Sequence, residues 1–118
     1  MDLQALTQAL VKFRDERDWS QFHTLRNLIV SLNLEASELL ELTQWKSDAE
    51  IASISGDENR MEALRDECAD ILLYLVLIAE KAGFDLLRAA ESKLEKNALK
   101  YPADKCHGSS RKYTELHD

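Results

Sequence analysis

Acidic residues stand in this chain where a helix would normally bury leucine. Placed on a helical wheel at about 100° per residue, Leu28, Leu32, Leu39 and Leu42 form one apolar stripe, with Glu35 in its middle and Glu38 at its edge. Further along, Leu64, Ile71, Tyr74 and Ile78 form a second stripe, with Glu67 inside it and Asp70 at its edge. Glu-x-x-Glu and Glu-x-x-Asp each put two carboxylates on one helix face, a turn apart. Acidic pairs at this spacing are common on solvated surfaces, where they do nothing in particular. Here both interrupt faces that point to the core, and neither stripe holds a Lys or Arg to compensate. Burying an unpaired carboxylate costs several kcal/mol, and four converging carboxylates repel unless a cation lies between them. Hard divalent ions with oxygen ligands, magnesium above all, answer that requirement.

The type of metal chemistry can be narrowed. A carboxylate di-iron bundle would add Glu-x-x-His pairs, but His23, His107 and His117 all lie outside the helical interiors. Magnesium held by carboxylates keeps several positions open, which suits a phosphate substrate and in-line attack by water.

Four helices must position these groups. The first is expected over about Leu3–Arg17, capped by Asp2, with Leu3, Leu6, Leu10 and Phe13 on one face. The stretch Trp19–His23 breaks it. A second helix starts near Leu25, capped by Thr24, and is expected to reach Trp45 or Lys46. Ser47 to Asp57 reads as a loop, and Glu58 to Ala82 as a long third helix closed by Gly83. Asp85 caps a fourth, which stops before Pro102. The expected fold is all-α, an antiparallel four-helix bundle, with a helical domain over 1–102 and a polar, irregular tail over 103–118. The run Ile71–Ala79 is apolar on every side. A helix of that kind needs burial all round, so its surplus face is expected to meet another subunit in a homo-oligomer.

Composition sets limits on function. The 118 residues fit a single domain, and 3 Gly with 1 Pro favour long helices over an all-β fold. The net charge of -7 supplies no basic patch for nucleic acid, yet a nucleotide can be held through a divalent cation. Two cysteines are too few for a disulfide framework; Cys68, inside an apolar helical run, is expected as a small buried hydrophobe. Cys106 lies in the polar tail beside His107, and a nucleophilic role is not expected of it. With no signal-like opening and no apolar run long enough to span a bilayer, no membrane partner is expected and the expected location is cytoplasmic.

Taken together, Glu35-x-x-Glu38 with Glu41 one turn on, Glu67-x-x-Asp70, and Lys93-x-x-x-Asn97-x-x-Lys100-Tyr101-Pro102 resemble the signature of the MazG-like all-α nucleoside triphosphate pyrophosphohydrolases. Glu16-Arg17-Asp18-Trp19, Gln21-Phe22-His23, Gln44-Trp45-Lys46 and Ser109-Ser110-Arg111-Lys112-Tyr113 are similar to the dCTP pyrophosphatase branch. The resemblance covers nearly the whole chain. It implies that Glu35, Glu38, Glu67 and Asp70 coordinate magnesium, and that a nucleoside triphosphate is cut to monophosphate and pyrophosphate. Glu38 or Glu41 would orient or deprotonate the attacking water, and Lys93 would neutralise phosphate charge growing in the transition state. Asn97, Tyr74 and Tyr101 are implied as sugar or phosphate contacts, and Trp19 and Trp45 as base-stacking aromatics. Tryptophans at helix ends also fill core gaps, and residues alone do not separate the two roles. The resemblance further implies a tetramer, a dimer of dimers. Leu10 stands where close relatives carry a base-recognising histidine, so a range wider than dCTP is expected, including other or modified deoxynucleotides cleared as house-cleaning.

Three alternatives stand beside this reading. One is a pyrophosphohydrolase for another nucleotide, such as phosphoribosyl-ATP, against which the Trp19 and Trp45 segments speak. The others are a nucleotide-binding protein without turnover, and a helical interaction module that uses the apolar third helix.

Overall fold

The computed structural model describes residues 1–115, and these form helices and turns with no strand among them. The fold is all-α, as expected. Two compact units are formed, residues 1–84 and 85–118.

In the first unit, α1 (Leu3–Glu16) starts where the Asp2 carboxylate accepts a hydrogen bond from the Ala5 N–H at 2.8 Å. A single 3-10 turn, Ser20–Phe22, leads to α2 (Leu25–Glu41), capped by Thr24, whose hydroxyl accepts from Asn27 N–H. Helix α2 ends four or five residues earlier than the wheel implies. The Thr43 hydroxyl donates to the Leu40 carbonyl at 2.7 Å, and the N–H groups of Leu42, Thr43 and Gln44 bond three residues back instead of four. This tightening unwinds the last turn, and Trp45 then takes a left-handed φ of 62°.

The stretch expected as a loop is ordered. Helix α3 (Asp48–Ala52) and a 3-10 turn, Ser53–Gly56, fill it. Ser47 accepts from Glu50 N–H while the Glu50 carboxylate reaches back to the Ser47 hydroxyl, a reciprocal cap that holds a short helix. Arg60 ties α3 to the next helix by donating to the Glu50 carbonyl at 2.9 Å.

Helix α4 (Glu58–Ala82) is the long element on which the unit is built, packing against α2, α1 and the 3-10 turn before it. Asp57 caps its start, and Glu58 and Lys81 sit at the ends that complement the helix dipole. Gly83 closes it at φ 80°. Leu28, Val76, Leu77 and Ala79 are the fully buried apolar residues, so the core lies between the start of α2 and the end of α4. Helices α2 and α4 run antiparallel: Glu35 lies beside Glu67, while Leu39 and Leu64 share an apolar recess one turn further on.

One further expectation is corrected in this unit. Cys68 is exposed, not buried, because it points about 100° away from Glu67 and the face that meets α2. Of the run Ile71–Ala79 only Leu72 is exposed. The larger uncovered apolar side chains are on α2 instead, with Ile29, Val30, Leu34 and Leu40 all exposed.

The second unit contains α5 (Leu86–Lys100), capped by Asp85 through the Arg88 N–H, and a short α6 (Ala103–Cys106). The part of the tail expected to be irregular thus holds α6 and a 3-10 turn, Tyr113–Glu115. His117 lies outside the described residues. Among them, no helix is long and apolar enough to cross a membrane.

Candidate metal centre

The antiparallel contact of α2 and α4 brings the interrupting carboxylates together. One oxygen each from Glu35, Glu38 and Glu67 lies within 4.8 Å of the others, a spacing compatible with ligands of one ion. Glu35 and Glu67 are half-buried, and Glu38 is exposed at the open side. One carboxylate oxygen of Glu35 and one of Glu67 are buried with no hydrogen-bond partner. Orphaned buried oxygens of this kind demand an explanation, and a bound cation supplies one.

The electrostatics agree. Burial pushes the Glu35 carboxyl up to about 7, helped by a proton shared with Glu67 and Glu38 and by the charges of Glu38 and Asp70. Burial also raises Glu67, with the charges of Glu38 and Asp70 acting in the same direction. Asp70 is half-buried one turn along α4; it contributes field to the cluster without belonging to the group of converging oxygens. Without a cation these shifts favour protonation of the buried carboxylates. A divalent ion would displace the protons and relieve the repulsion. All the donors are hard carboxylate oxygens, the set that magnesium takes.

The other sequence candidates are placed as follows. Glu41 ends α2 and is exposed, outside the cluster. Tyr74 is half-buried on α4, one turn beyond Asp70. Trp19 precedes the first 3-10 turn and is 43% exposed, whereas Trp45 is 92% exposed. On α5, Lys93 is exposed and Asn97 half-buried, and the Asn97 carbonyl accepts from the Tyr101 N–H at 2.8 Å. Leu10 is half-buried on α1.

An open apolar recess of about 310 Å³ adjoins the cluster, lined in part by Leu39, Leu42, Ile51, Ile54 and Leu64. The sequence reading missed it because Ile51 and Ile54 fall where a loop was expected. The Ser47-x-x-Glu50 cap was the signal that could have revealed it.

Comparison with known proteins follows the same lines. The chain matches the MazG-like family over residues 30–116. It is 43% identical over 114 residues to dCTP pyrophosphatase 1 of Rattus norvegicus, covering 97% of this chain and 67% of the rat protein. Identity to dCTP pyrophosphatase 1 of Homo sapiens is also 43% over 114 residues, with the same 97% and 67% coverage. A solved pyrophosphatase from Archaeoglobus fulgidus DSM 4304 is similar at TM-score 0.75 and 40% identity, over 84% of this chain and 91% of that one.

Proposed function

The chain belongs to the MazG-like family, and we propose that its buried carboxylate cluster serves magnesium-dependent hydrolysis of dCTP and other deoxynucleoside triphosphates. It is a nucleoside triphosphate pyrophosphatase. The observation that carries the metal reading is the pair of unpartnered buried oxygens, on Glu35 and Glu67, inside a group of three converging carboxylates.

Glu35, Glu38 and Glu67 would hold the ion, with Asp70 completing the set. Bound there, magnesium supplies charge neutralisation for the triphosphate and polarises the α-phosphorus. Glu38, at the open side, or Glu41 orients a water molecule and takes its proton. The water oxygen bonds to the α-phosphorus, the bond to the bridging oxygen of the β-phosphate breaks, and pyrophosphate leaves with the electron pair. The products are the nucleoside monophosphate and pyrophosphate. Lys93 is assigned to the leaving charge, Tyr74, Asn97 and Tyr101 to sugar and phosphate contacts, and Trp19 and Trp45 to the base. For Lys93, Asn97 and Tyr101 the support is the match of the family motif alone.

The catalytic region is assigned to residues 1–102, with 103–118 as an appended tail. Leu10 offers no hydrogen bond to a pyrimidine edge, which supports a base range wider than dCTP; a house-cleaning role in the cytoplasm is proposed alongside it. The exposed Ile29, Val30, Leu34 and Leu40 on α2 support assembly into a homo-oligomer, and a tetramer is the proposed form.

The test is release of monophosphate and pyrophosphate from each dNTP and NTP with magnesium, followed by chromatography, for the parent protein and for Glu38→Ala and Asp70→Ala. Metal-dependent pyrophosphate release that both substitutions cut by about 10²-fold or more supports the proposal and ranks the bases. A folded, magnesium-loaded protein that turns over no nucleotide would overturn it and leave a binding module.

A further inference from the structure

The stretch between α2 and α4 meets the body of the first unit through few side chains. Of residues 43–59 only Ile51 and Ile54 are half-buried, and all the others are exposed. Those two form one wall of the open recess of about 310 Å³, and Leu39, Leu42 and Leu64 form the other. None of the five is fully buried. Apolar side chains that face one another across open space mark a joint of low local stability. The Arg60 guanidinium, donating to the Glu50 carbonyl at 2.9 Å, ties the stretch to α4.

Both ends of this stretch are built to turn. Trp45 takes φ 62°, a left-handed torsion that is costly for a residue with a side chain and that recurs in switch segments. At the other end Gly56 has open space where a side chain would stand, and Asp57 is extended, at φ -124° and ψ 105°, before α4 begins. Between these hinges the chain holds itself together. Ser47 caps α3 by accepting from Glu50 N–H, and the Ser53 hydroxyl donates to the Glu50 carbonyl at 2.8 Å. The recess borders the carboxylate cluster, since Leu39 follows Glu38 on α2 and Leu64 stands one turn before Glu67 on α4.

We infer that residues 47–56 are a lid, which closes the recess beside the carboxylate cluster when metal and nucleotide are bound. The inference rests on the proposed substrate and adds a conformational step to it. Closing brings Ile51 and Ile54 against Leu39, Leu42 and Leu64 and drives out the water between them. It also narrows the access of bulk water to the cluster. The nucleotide biases the two positions through Trp45, the assigned base contact at the first hinge: a base stacked there favours the torsion that presents the ring.

The test is hydrogen–deuterium exchange of the full chain, read by peptide mass spectrometry. It is run with magnesium alone, with α,β-methylene-dCTP in chelator, and with magnesium and the analogue together. The analogue has no bridging oxygen to cleave, and a raised Tm shows that it is bound. Amides of residues 47–56 should exchange at least about tenfold more slowly with both ligands, and change little with either alone. In Ile51→Ala/Ile54→Ala that slowing should be lost and kcat for dCTP should fall roughly tenfold or more, because closing then buries far less apolar surface. Ile51→Val/Ile54→Val should keep most of both. Parent-like exchange around Val76 and Leu77 shows that each variant is folded.

Unchanged exchange at 47–56 in a sample whose Tm has risen would overturn the lid and leave the hydrolase reading standing. No rise in Tm with any nucleotide would remove both the proposed substrate and the trigger for closing. Exchange already slow in the unliganded protein would also overturn the lid, because the stretch would then be covered beforehand, by a second copy or by its own packing. Full slowing with magnesium alone would refute the part given to the nucleotide. Lost slowing with unchanged kcat in Ile51→Ala/Ile54→Ala would refute the part given to closing in turnover.

Discussion

Helix α4 contains two regions of opposite character. Its first half, Glu58 to Asp70, is densely charged, carries Glu67 and Asp70, and has no fully buried residue. Its second half, Ile71 to Ala82, holds Val76, Leu77 and Ala79, three of the four buried apolar residues among those described. One helix thus joins a well-packed anchor to a segment that brings carboxylates into an unfavourable place. The difference teaches that the cluster is held together by packing elsewhere on the same rod: the carboxylates repel, and the anchor prevents them from separating.

The largest effect is expected in the anchor. Leu77→Ala removes a side chain that is only 5% exposed and should lower stability by about 2–5 kcal/mol in urea unfolding. A loss below about 1 kcal/mol would break the comparison. Next comes the charged half, where Asp70→Ala should cost roughly 10²–10³ in kcat/KM while leaving urea stability within about 1 kcal/mol of the parent.

A third expectation separates the halves by pH. The Glu35 carboxyl is raised from 4.5 to about 7 in the folded protein, so folding without metal is favoured by protonation. That stability is fully present below about pH 4.5 and is lost as pH rises through about 7. Melting curves in chelator should show this slope; magnesium should flatten it, and Glu35→Gln should remove most of it. An identical slope in Glu35→Gln would place its origin outside the cluster. The smallest effect is at the surface of the charged half. Arg65 pairs with Glu58 in solvent, and Arg65→Ala should change stability by no more than about 0.5 kcal/mol.

The sequence makes helix beginnings and their closures readable because single side chains perform those jobs. Asp2, Thr24 and Asp85 cap, and Gly83 closes, where the residue types indicate. The end of α2 was not readable: it depends on the Thr43 hydroxyl competing for the Leu40 carbonyl, and a wheel drawn from hydrophobicity carries no such contest. Helix α3 was missed for a related reason, since Ser and Asp at 47–57 signal loops and caps alike. Cys68 shows that apolar neighbours in sequence are not neighbours in space.

In the candidate site, the convergence of Glu35, Glu38 and Glu67 follows from helical period alone, because two stripes that must pack bring along whatever interrupts them. Lys93 and Asn97 gave no such signal, since charged and polar groups at helical spacing describe a solvated face equally well. His23 lies outside every periodic segment, so hydrophobic patterning gave no sign of its buried, unpartnered Nδ1.

Gly83, where α4 ends, has one further consequence. A Cβ built there would meet nothing within 4 Å, yet φ stands at 80°. The site therefore has room for an added methyl group, and what opposes one is torsion alone. L-alanine would be forced into a torsion it disfavours, whereas D-alanine would sit in its own preferred well and leave the unfolded chain with less freedom. What glycine provides at this junction is indifference to chirality.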